Sequence, residues 1–251
     1  MTVRPATWRV VTWNIRHARR DDGVVDLEAV VSTLRSLDAD LIAVQEVDRG
    51  VSRSGGLDQA AILADHLGMR LAFAPAIETG GGTYGHALLT RREPTQVTVA
   101  ELPGRPGDER RVALHATVVA PSGEPVSVTA LHLQPRRRHD RRAAVAVAQL
   151  RAALEHAGTR HHRRLLLGDL NLDPPAAAPV LRAAGLQLAA TPPTHPRKRP
   201  RRGLDMVAVA GLTPVGVEVP AIGHSDHRPV AVHLELDADL ELDPVPEGST
   251  P

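Results

Sequence analysis

Short, consecutively apolar runs recur along most of the chain and constrain the fold more than any other feature of the sequence. A run of adjacent apolar residues is typical of a strand that is buried on both faces. The runs cover residues 8–13, 41–45, 70–74, 86–90, 96–101, 112–119, 126–133, 164–168, 204–210, 215–219 and 229–234. They predict a core that is built largely from strands.

Apolar residues at helical spacing separate some of these runs. They predict helices over residues 27–37, 57–67, 143–154 and 174–184. The last of these carries prolines in its first turn, where the missing N–H is tolerated. Strands and helices alternate in places, whereas strands follow one another directly in the middle of the chain. This order predicts an α/β layered sandwich that contains mixed sheets.

Polar residues stand where the predicted strands stop or start. The four motifs are Trp13-Asn14, Gln45-Glu46, Gly168-Asp169-Leu170-Asn171 and Ser225-Asp226-His227. Loops at strand ends are where the sites of layered α/β proteins collect. Each motif alone is typical of a turn or a helix cap. The prediction of a site therefore rests on all four motifs, each beside an apolar strand.

The composition limits the chemistry of this site. The chain has no cysteine, so disulfides and thiolate metal ligands are excluded and a metal must be held by oxygen and imidazole. The Asn, Glu and Asp side chains of the motifs offer the hard oxygen ligands that Mg²⁺, Mn²⁺ or Ca²⁺ prefer. The formal net charge of +1 gives no overall basic character that would favour nucleic acid.

Several segments together resemble one known family. They are residues 12–16, 45–48, 84–91, 129–133, 167–171, 203–207 and 225–230. With them the chain resembles the endonuclease/exonuclease/phosphatase superfamily of metal-dependent phosphoesterases, which includes pancreatic-type deoxyribonucleases, neutral sphingomyelinases and inositol polyphosphate 5-phosphatases. The resemblance runs over about residues 8–236. It implies an α/β (α+β) fold, a four-layer αββα sandwich with two mixed β-sheets packed face to face.

The resemblance also implies a metal site. Glu46 would be the principal ligand, Asn14 would lie beside it, and Asp226 would bind the ion directly or through water. The expected ion is Mg²⁺, with Mn²⁺ as a substitute, because oxygen ligands dominate and bound water must remain. Such an ion would neutralise a phosphate oxygen and the charge that develops during hydrolysis.

Further roles follow from the same resemblance. Asp169 would orient or deprotonate the attacking water, and Asn171 would donate to the phosphate. His227, paired with Asp205, would stabilise the phosphate or shuttle a proton. His132 is expected to donate to the phosphate, and its alternative is a structural histidine. Whether Asp169 or His227 is the base stays open.

Two of the departures from the family pattern are histidines. His86, in the segment that begins at Tyr84, stands where Asn is common, and an imidazole ordinarily titrates near neutral pH. His195 stands where many members have an aromatic residue before a proline. Tyr84 and His86 are predicted to contact the substrate. The histidines without a motif partner, His17 among them, are assigned to surface or loop positions.

The substrate is less constrained than the site. The basic loop of residues 197–202 could hold phosphate through Arg199 and Arg201, or it could be only a solvated loop. The chain has only four aromatic residues, which weakens the hypothesis of a single-strand nuclease, because such enzymes stack bases on aromatic side chains. The first hypothesis is hydrolysis of a small-molecule or lipid head-group phosphoester. The alternatives are a DNA or RNA nuclease and a non-catalytic phosphate-binding scaffold.

The chain is predicted to form one catalytic domain over residues 1–236, followed by a disordered acidic tail over residues 237–251. No apolar run has the length of a signal peptide or a membrane span. A cytoplasmic monomer is the expectation.

Overall fold

The computed structural model describes residues 7–136, 143–158, 161–189 and 192–237. Within these ranges the strands are β1 (Trp8–Asn14), β2 (Leu41–Arg49), β3 (Arg70–Thr79), β4 (Gly82–Thr90), β5 (Thr95–Glu101), β6 (Val112–Val119), β7 (Pro125–His132), β8 (Arg164–Asp169), β9 (Gln187–Leu188), β10 (Asp205–Ala210), β11 (Leu212–Glu218) and β12 (Val230–Leu236). The α-helices are α1 (Leu27–Leu37), α2 (Gln59–Leu67), α3 (Ala144–Ala157) and α4 (Pro174–Ala183).

The strands form two six-stranded mixed sheets. The first sheet has the order β11-β12-β1-β2-β4-β3, and the second has the order β5-β6-β7-β8-β10-β9. Each sheet contains one parallel pair near its centre, β1 with β2 and β7 with β8, and the other pairs are antiparallel. The parallel pairs matter for the site because their carboxyl ends carry its polar residues.

Three aliphatic clusters separate four layers. The inner faces of the two sheets share one cluster, to which Val10 and Leu165 belong. The next residues along these strands, Val11 and Leu166, belong to the outer clusters beneath α1–α2 and α3–α4. Adjacent strand residues therefore bury opposite faces, which explains the consecutive apolar runs. The predicted αββα sandwich is confirmed.

Local signals explain where α1 and α4 begin. The side chain of Asp26 caps α1 by accepting a hydrogen bond from the Ala29 N–H at 3.0 Å. Pro174 opens α4, where the absent N–H costs no helical hydrogen bond. Every predicted strand and helix is present within a few residues.

The differences from the predicted elements are small and have physical reasons. Strand β2 runs on to Arg49 because a bulge at Glu46 shifts its register without ending the strand. The two-residue strand β9 was not predicted because it is too short to form an apolar run. The predicted tail lies outside the described residues, apart from Asp237. Among the described helices, none combines the length and the apolarity that a membrane crossing needs.

Candidate active site

The polar side chains at the strand ends meet at one edge of the sandwich. Asn14 ends β1, Glu46 lies in the β2 bulge, His132 and Asp169 end β7 and β8, and Asp205 begins β10. The strand register places Asp169 opposite His132 on one side and opposite Asp205 on the other. Residues that are far apart in sequence therefore lie close together at this edge of the two sheets.

Asp169 lies at the centre of this group and is 1% exposed. Its Oδ2 accepts a hydrogen bond from the Asn14 side-chain amide at 3.1 Å. The Nε2 atoms of His132 and His227 each lie 3.8 Å from the same oxygen. Burial raises the pKa of Asp169 above its usual range, and the charged His227 opposes this rise.

Asn171 is held against the other oxygen of Asp169. Its backbone N–H donates to Asp169 Oδ1 at 2.9 Å, and its side-chain amide donates to the Leu133 carbonyl at 3.0 Å. The residue has a φ of 50°, a backbone conformation that asparagine tolerates better than most residues. These contacts fix the side chain beside the strand end and leave it one further amide hydrogen.

His227 forms a buried pair with Asp205. Their Nδ1 and Oδ2 atoms are 2.7 Å apart, and the Thr194 hydroxyl donates to the same carboxylate oxygen at 2.5 Å. Burial disfavours the charged imidazole, but Asp205 and Asp169 outweigh it and raise the pKa of His227 to about 10. His227 is therefore an imidazolium near neutral pH, with Nε2 directed to the Asp169 side of the site.

His132 is held in the opposite protonation state by Arg111, a residue that the sequence analysis missed. The Arg111 guanidinium donates to His132 Nδ1 at 2.9 Å, so the remaining proton of the neutral ring is on Nε2. Burial and the charge of Arg111 lower the pKa of His132 well below its ordinary value. A neutral Nε2–H donor therefore lies 3.8 Å from Asp169. Arg111 directly precedes the apolar run of β6, and it belongs to no motif that would mark it as a site residue.

The residues that resemblance assigns to a metal also lie together. The Asn14 amide donates to Glu46 Oε1 at 2.9 Å, and Glu46 Oε2 lies 3.9 Å from His17 Nδ1. Burial lowers the pKa of His17 to about 4, so this imidazole is neutral near pH 7. Burial raises the pKa of Glu46, and nearby Asp226 adds to the rise. A partly buried carboxylate with a neutral neighbour suits a bound cation.

His17 corrects the sequence-based assignment of the unmatched histidines. The sequence predicts a surface or loop position without a site partner, and His17 does lie in a short 3₁₀ turn, Arg16–Ala18. The turn packs against β2, however, and brings the half-buried imidazole to Glu46. The sequence carries no signal for this contact because the turn is too short to show a periodic pattern.

Among the described residues, two groups of three side chains could hold an ion through closely spaced ligand atoms. One consists of Asp169, Asp205 and His227, and the other consists of His195, Asp226 and His227. Glu46 belongs to neither group. The metal ligands assigned by resemblance, Glu46, Asn14 and Asp226, stay a prediction.

A comparison with models of protein families identifies the family of this chain. The model of the Endonuclease/Exonuclease/phosphatase family matches residues 11–227, from the first strand to His227. The chain belongs to this family. Members of the endonuclease/exonuclease/phosphatase family are hydrolases that act on phosphoester bonds, and they generally use divalent metals. No curated protein sequence matches the chain at a significant level.

Solved structures of the endonuclease/exonuclease/phosphatase family share the fold at low sequence identity. A Beutenbergia cavernae member is 24% identical, with a TM-score of 0.75 over 93% of this chain and 72% of that one. The mannosyl-6-phosphatase of Bacteroides thetaiotaomicron is 16% identical, with a TM-score of 0.72 over 90% and 99% of the two chains. D. rerio TDP2, complexed with a single-strand DNA product, is 16% identical, with a TM-score of 0.70 over 92% and 99%.

In this family member, the two substrate-contact residues predicted on β4 are buried. The Arg53 guanidinium lies over the Tyr84 ring at 5.1 Å, and burial raises the pKa of Tyr84. His86 Nε2 donates to the Ala130 carbonyl at 3.1 Å, and burial lowers the pKa of His86 to about 4. The expectation that His86 titrates near neutral pH is therefore wrong, because the ring lies between the two sheets.

The basic loop is partly occupied by internal contacts. Arg197 and Lys198 pair with Asp21 at 3.0 and 2.9 Å, and Arg202 pairs with Asp173 at 3.2 Å. Arg199 and Arg201 are exposed, and neither side chain forms an ion pair within the described part of the chain. The ion pairs of Arg197, Lys198 and Arg202 therefore tie the loop to the rest of the domain, whereas the side chains of Arg199 and Arg201 face solvent.

Proposed function

We propose that this chain is a divalent-metal-dependent phosphoesterase that hydrolyses a P–O bond of a small-molecule or lipid head-group phosphoester by water attack. The observation that carries the proposal is the arrangement around Asp169 Oδ2, where Asn14, His132 and His227 lie at 3.1, 3.8 and 3.8 Å. A carboxylate, a neutral imidazole donor and an imidazolium around one point suit an anionic phosphate and its attacking water.

Asp169 is a carboxylate and His227 is an imidazolium, and these opposite protonation states support separate roles for the two side chains. Asp169, as a carboxylate with a raised pKa, is a suitable base for the attacking water. His227, as an imidazolium held by Asp205, is suited to neutralise charge on the phosphate. Asn171 and the Nε2–H of His132 add neutral donors from the ends of β8 and β7. Environments that push two pKa values apart are typical of acid–base pairs in enzymes.

The cofactor of the proposal is Mg²⁺, with Mn²⁺ as a substitute. Glu46, Asn14 and Asp226 would hold it, and the bound ion would supply charge neutralisation at a phosphate oxygen. The donor set fits, because the Asn14 amide and the neutral imidazole of His17 lie beside the partly buried Glu46, and Asp226 adds a second negative charge.

The placement of the aromatic residues favours a small substrate. Trp8 and Trp13 are almost fully buried, Tyr84 is 6% exposed, and Phe73 lies half-buried beneath the Arg49 guanidinium. These four are the only Phe, Trp and Tyr residues of the chain. No aromatic face is therefore presented on which a flipped or single-stranded base could stack.

Hydrolysis of an aryl phosphodiester and an aryl phosphomonoester tests the proposal. The assay compares Mg²⁺, Mn²⁺ and EDTA in the wild type, Asp169→Asn and His227→Ala, with Asp65→Asn and His66→Ala on the exposed face of α2 as matched controls. We expect metal-dependent turnover that falls about 10²–10⁴-fold in the two site variants and stays unchanged in the controls. Turnover that survives EDTA or either site substitution would contradict the assignment.

A nuclease is the second candidate because Arg199 and Arg201 are exposed on the loop that carries His195 and could contact a nucleic-acid backbone. Plasmid nicking at low salt separates the two functions. A nuclease requires nicking that falls when Arg199 and Arg201 are both changed to Ala. The same number of charges removed at Arg92 and Arg105, which are exposed elsewhere, provides the control.

A further inference from the structure

A second imidazole, that of His195, lies beside His227. The rings of His195 and His227 have their centroids 4.7 Å apart. The backbone of His195 is fixed by two hydrogen bonds with Arg202, each 3.0 Å long. These bonds fix the backbone of the loop at the position that places the His195 side chain beside His227.

The ring of His195 has an unsatisfied nitrogen. Its Nδ1 atom is buried and has no hydrogen-bond partner among the residues that the structure describes. A buried polar atom without a partner is unfavourable, so a ligand that accepts its lone pair would remove this penalty. An aromatic hydrocarbon ring at this position would face no such requirement.

Asp226 completes a group of three possible metal ligands. One ligand atom from each of His195, Asp226 and His227 lies within 4.8 Å of the other two. Ligand atoms around a tetrahedral zinc ion are about 3.4 Å apart, given metal–ligand distances of about 2.1 Å. The required contraction is small, and the Asp226 side chain, which is 40% exposed, has room to make it.

The surroundings of His227 complete a typical zinc-site arrangement. Asp205 accepts from Nδ1 of His227 at 2.7 Å, so an ion would bind at Nε2 in place of the proton that the imidazolium carries there. A carboxylate behind a ligating histidine orients the ring and strengthens it as a ligand. Two imidazoles and one carboxylate favour Zn²⁺ over Mg²⁺, which prefers an all-oxygen shell.

We propose that His195, Asp226 and His227 form an inhibitory zinc site that shares only Asp226 with the proposed magnesium site. A zinc ion on Nε2 of His227 would occupy the atom that otherwise faces the phosphate, and it would draw Asp226 away from its expected role. Water would take the fourth position. Binding stands on the geometry alone, whereas inhibition rests on the proposed phosphoesterase function.

Zinc binding is measured first, by competition with a chromogenic chelator in the presence of excess Mg²⁺. We expect His195→Phe and Asp226→Asn to weaken zinc binding by about tenfold or more. His66→Ala, which removes an exposed imidazole from α2, should bind zinc like the wild type. His195→Gln, which keeps a polar side chain, guards against a folding defect of the Phe variant. Equal zinc affinity in the wild type and both His195 variants would overturn the proposal.

Inhibition is measured second, as the Zn²⁺ concentration that halves the Mg²⁺-dependent rate of each variant. We expect that concentration to rise about tenfold in His195→Phe, in parallel with the loss of affinity. If zinc binding depends on His195 but the protein shows no turnover, the proposed phosphoesterase function is contradicted and the zinc site is supported. If the protein shows turnover but zinc inhibits the wild type and His195→Phe equally, only the proposed zinc site is contradicted.

Discussion

At the scale of single residues, neighbouring groups hold two imidazoles of one site in opposite charge states. Arg111 donates to Nδ1 of His132 and keeps that ring neutral, whereas Asp205 accepts from Nδ1 of His227 and keeps that ring charged. Both histidines present Nε2 to the same oxygen of Asp169 at 3.8 Å. The site thus distinguishes a neutral donor from a cation although the two side chains are chemically identical.

Replacement of Asp205 tests how His227 keeps its charge. Asp205→Asn removes the carboxylate that does most to raise the pKa of His227, so we expect that pKa to fall from about 10 towards its ordinary value of 6.5. Turnover should drop about 10²–10⁴-fold near pH 8 and recover partly at lower pH. Imidazole NMR titration and pH–rate profiles measure the two effects. Thr194→Val keeps the charge and serves as the control; a loss of equal size there would contradict the electrostatic explanation.

The same pair makes the stability of the protein depend on pH. The folded-state pKa of His227, about 10, lies above the ordinary value of 6.5, so the folded state holds this proton more tightly. The resulting stabilisation is complete below pH 6.5 and is lost as pH rises to about 10. We expect urea denaturation of the metal-free protein to give a falling free energy of unfolding across this window. In Asp205→Asn the decline should be smaller; an equal decline in both proteins would contradict the assignment to His227.

At the scale of elements, the sequence could predict residues that belong to a polar motif beside an apolar run and could not predict residues outside such motifs. Asp169 and His132 end apolar runs, so a polar residue in an apolar context marks them. Arg111 precedes the run of β6, and His17 lies in a three-residue turn, and neither context differs from an ordinary loop. Their roles depend on pairing between strands, which no local pattern encodes.

The close approach of β7 and β8 gives a prediction at this scale. A Cβ atom at Gly168 would lie 2.0 Å from the Leu131 carbonyl oxygen, and Gly168 has a φ of 151°. Gly168→Ala should force the strands apart, displace Asp169 from His132, and lower both the melting temperature and turnover. Gly216→Ala in β11, where the nearest atom is 3.6 Å away, is the matched control. If Gly168→Ala melts at the same temperature as the wild type, β8 can shift away from β7 without loss of stability, and the prediction is wrong.

At the scale of the whole molecule, the layers follow from the sequence but the order of the strands does not. Consecutive apolar residues in β1 and β8 require burial on both faces, and periodic helices supply the outer layers. The neighbour of each strand depends on contacts across long stretches of chain, such as β12 beside β1. The resemblance to a known family implied two mixed sheets packed face to face, but it did not give the order of their strands.

The predicted division between domain and tail can be tested by truncation. Asp237 still belongs to the folded part, because its carbonyl accepts from Arg163 at 3.2 Å and its carboxylate accepts from Thr213 at 2.6 Å. A chain that ends after Asp237 should keep its turnover and melt within about 2 °C of the full chain, since it loses no contact of the described fold. A chain that ends after Pro229 lacks β12 and exposes the edge of β1, so it should not fold. A markedly lower melting temperature of the first truncation, measured by circular dichroism, would mean that residues 238–251 pack on the domain and that the proposed boundary is wrong.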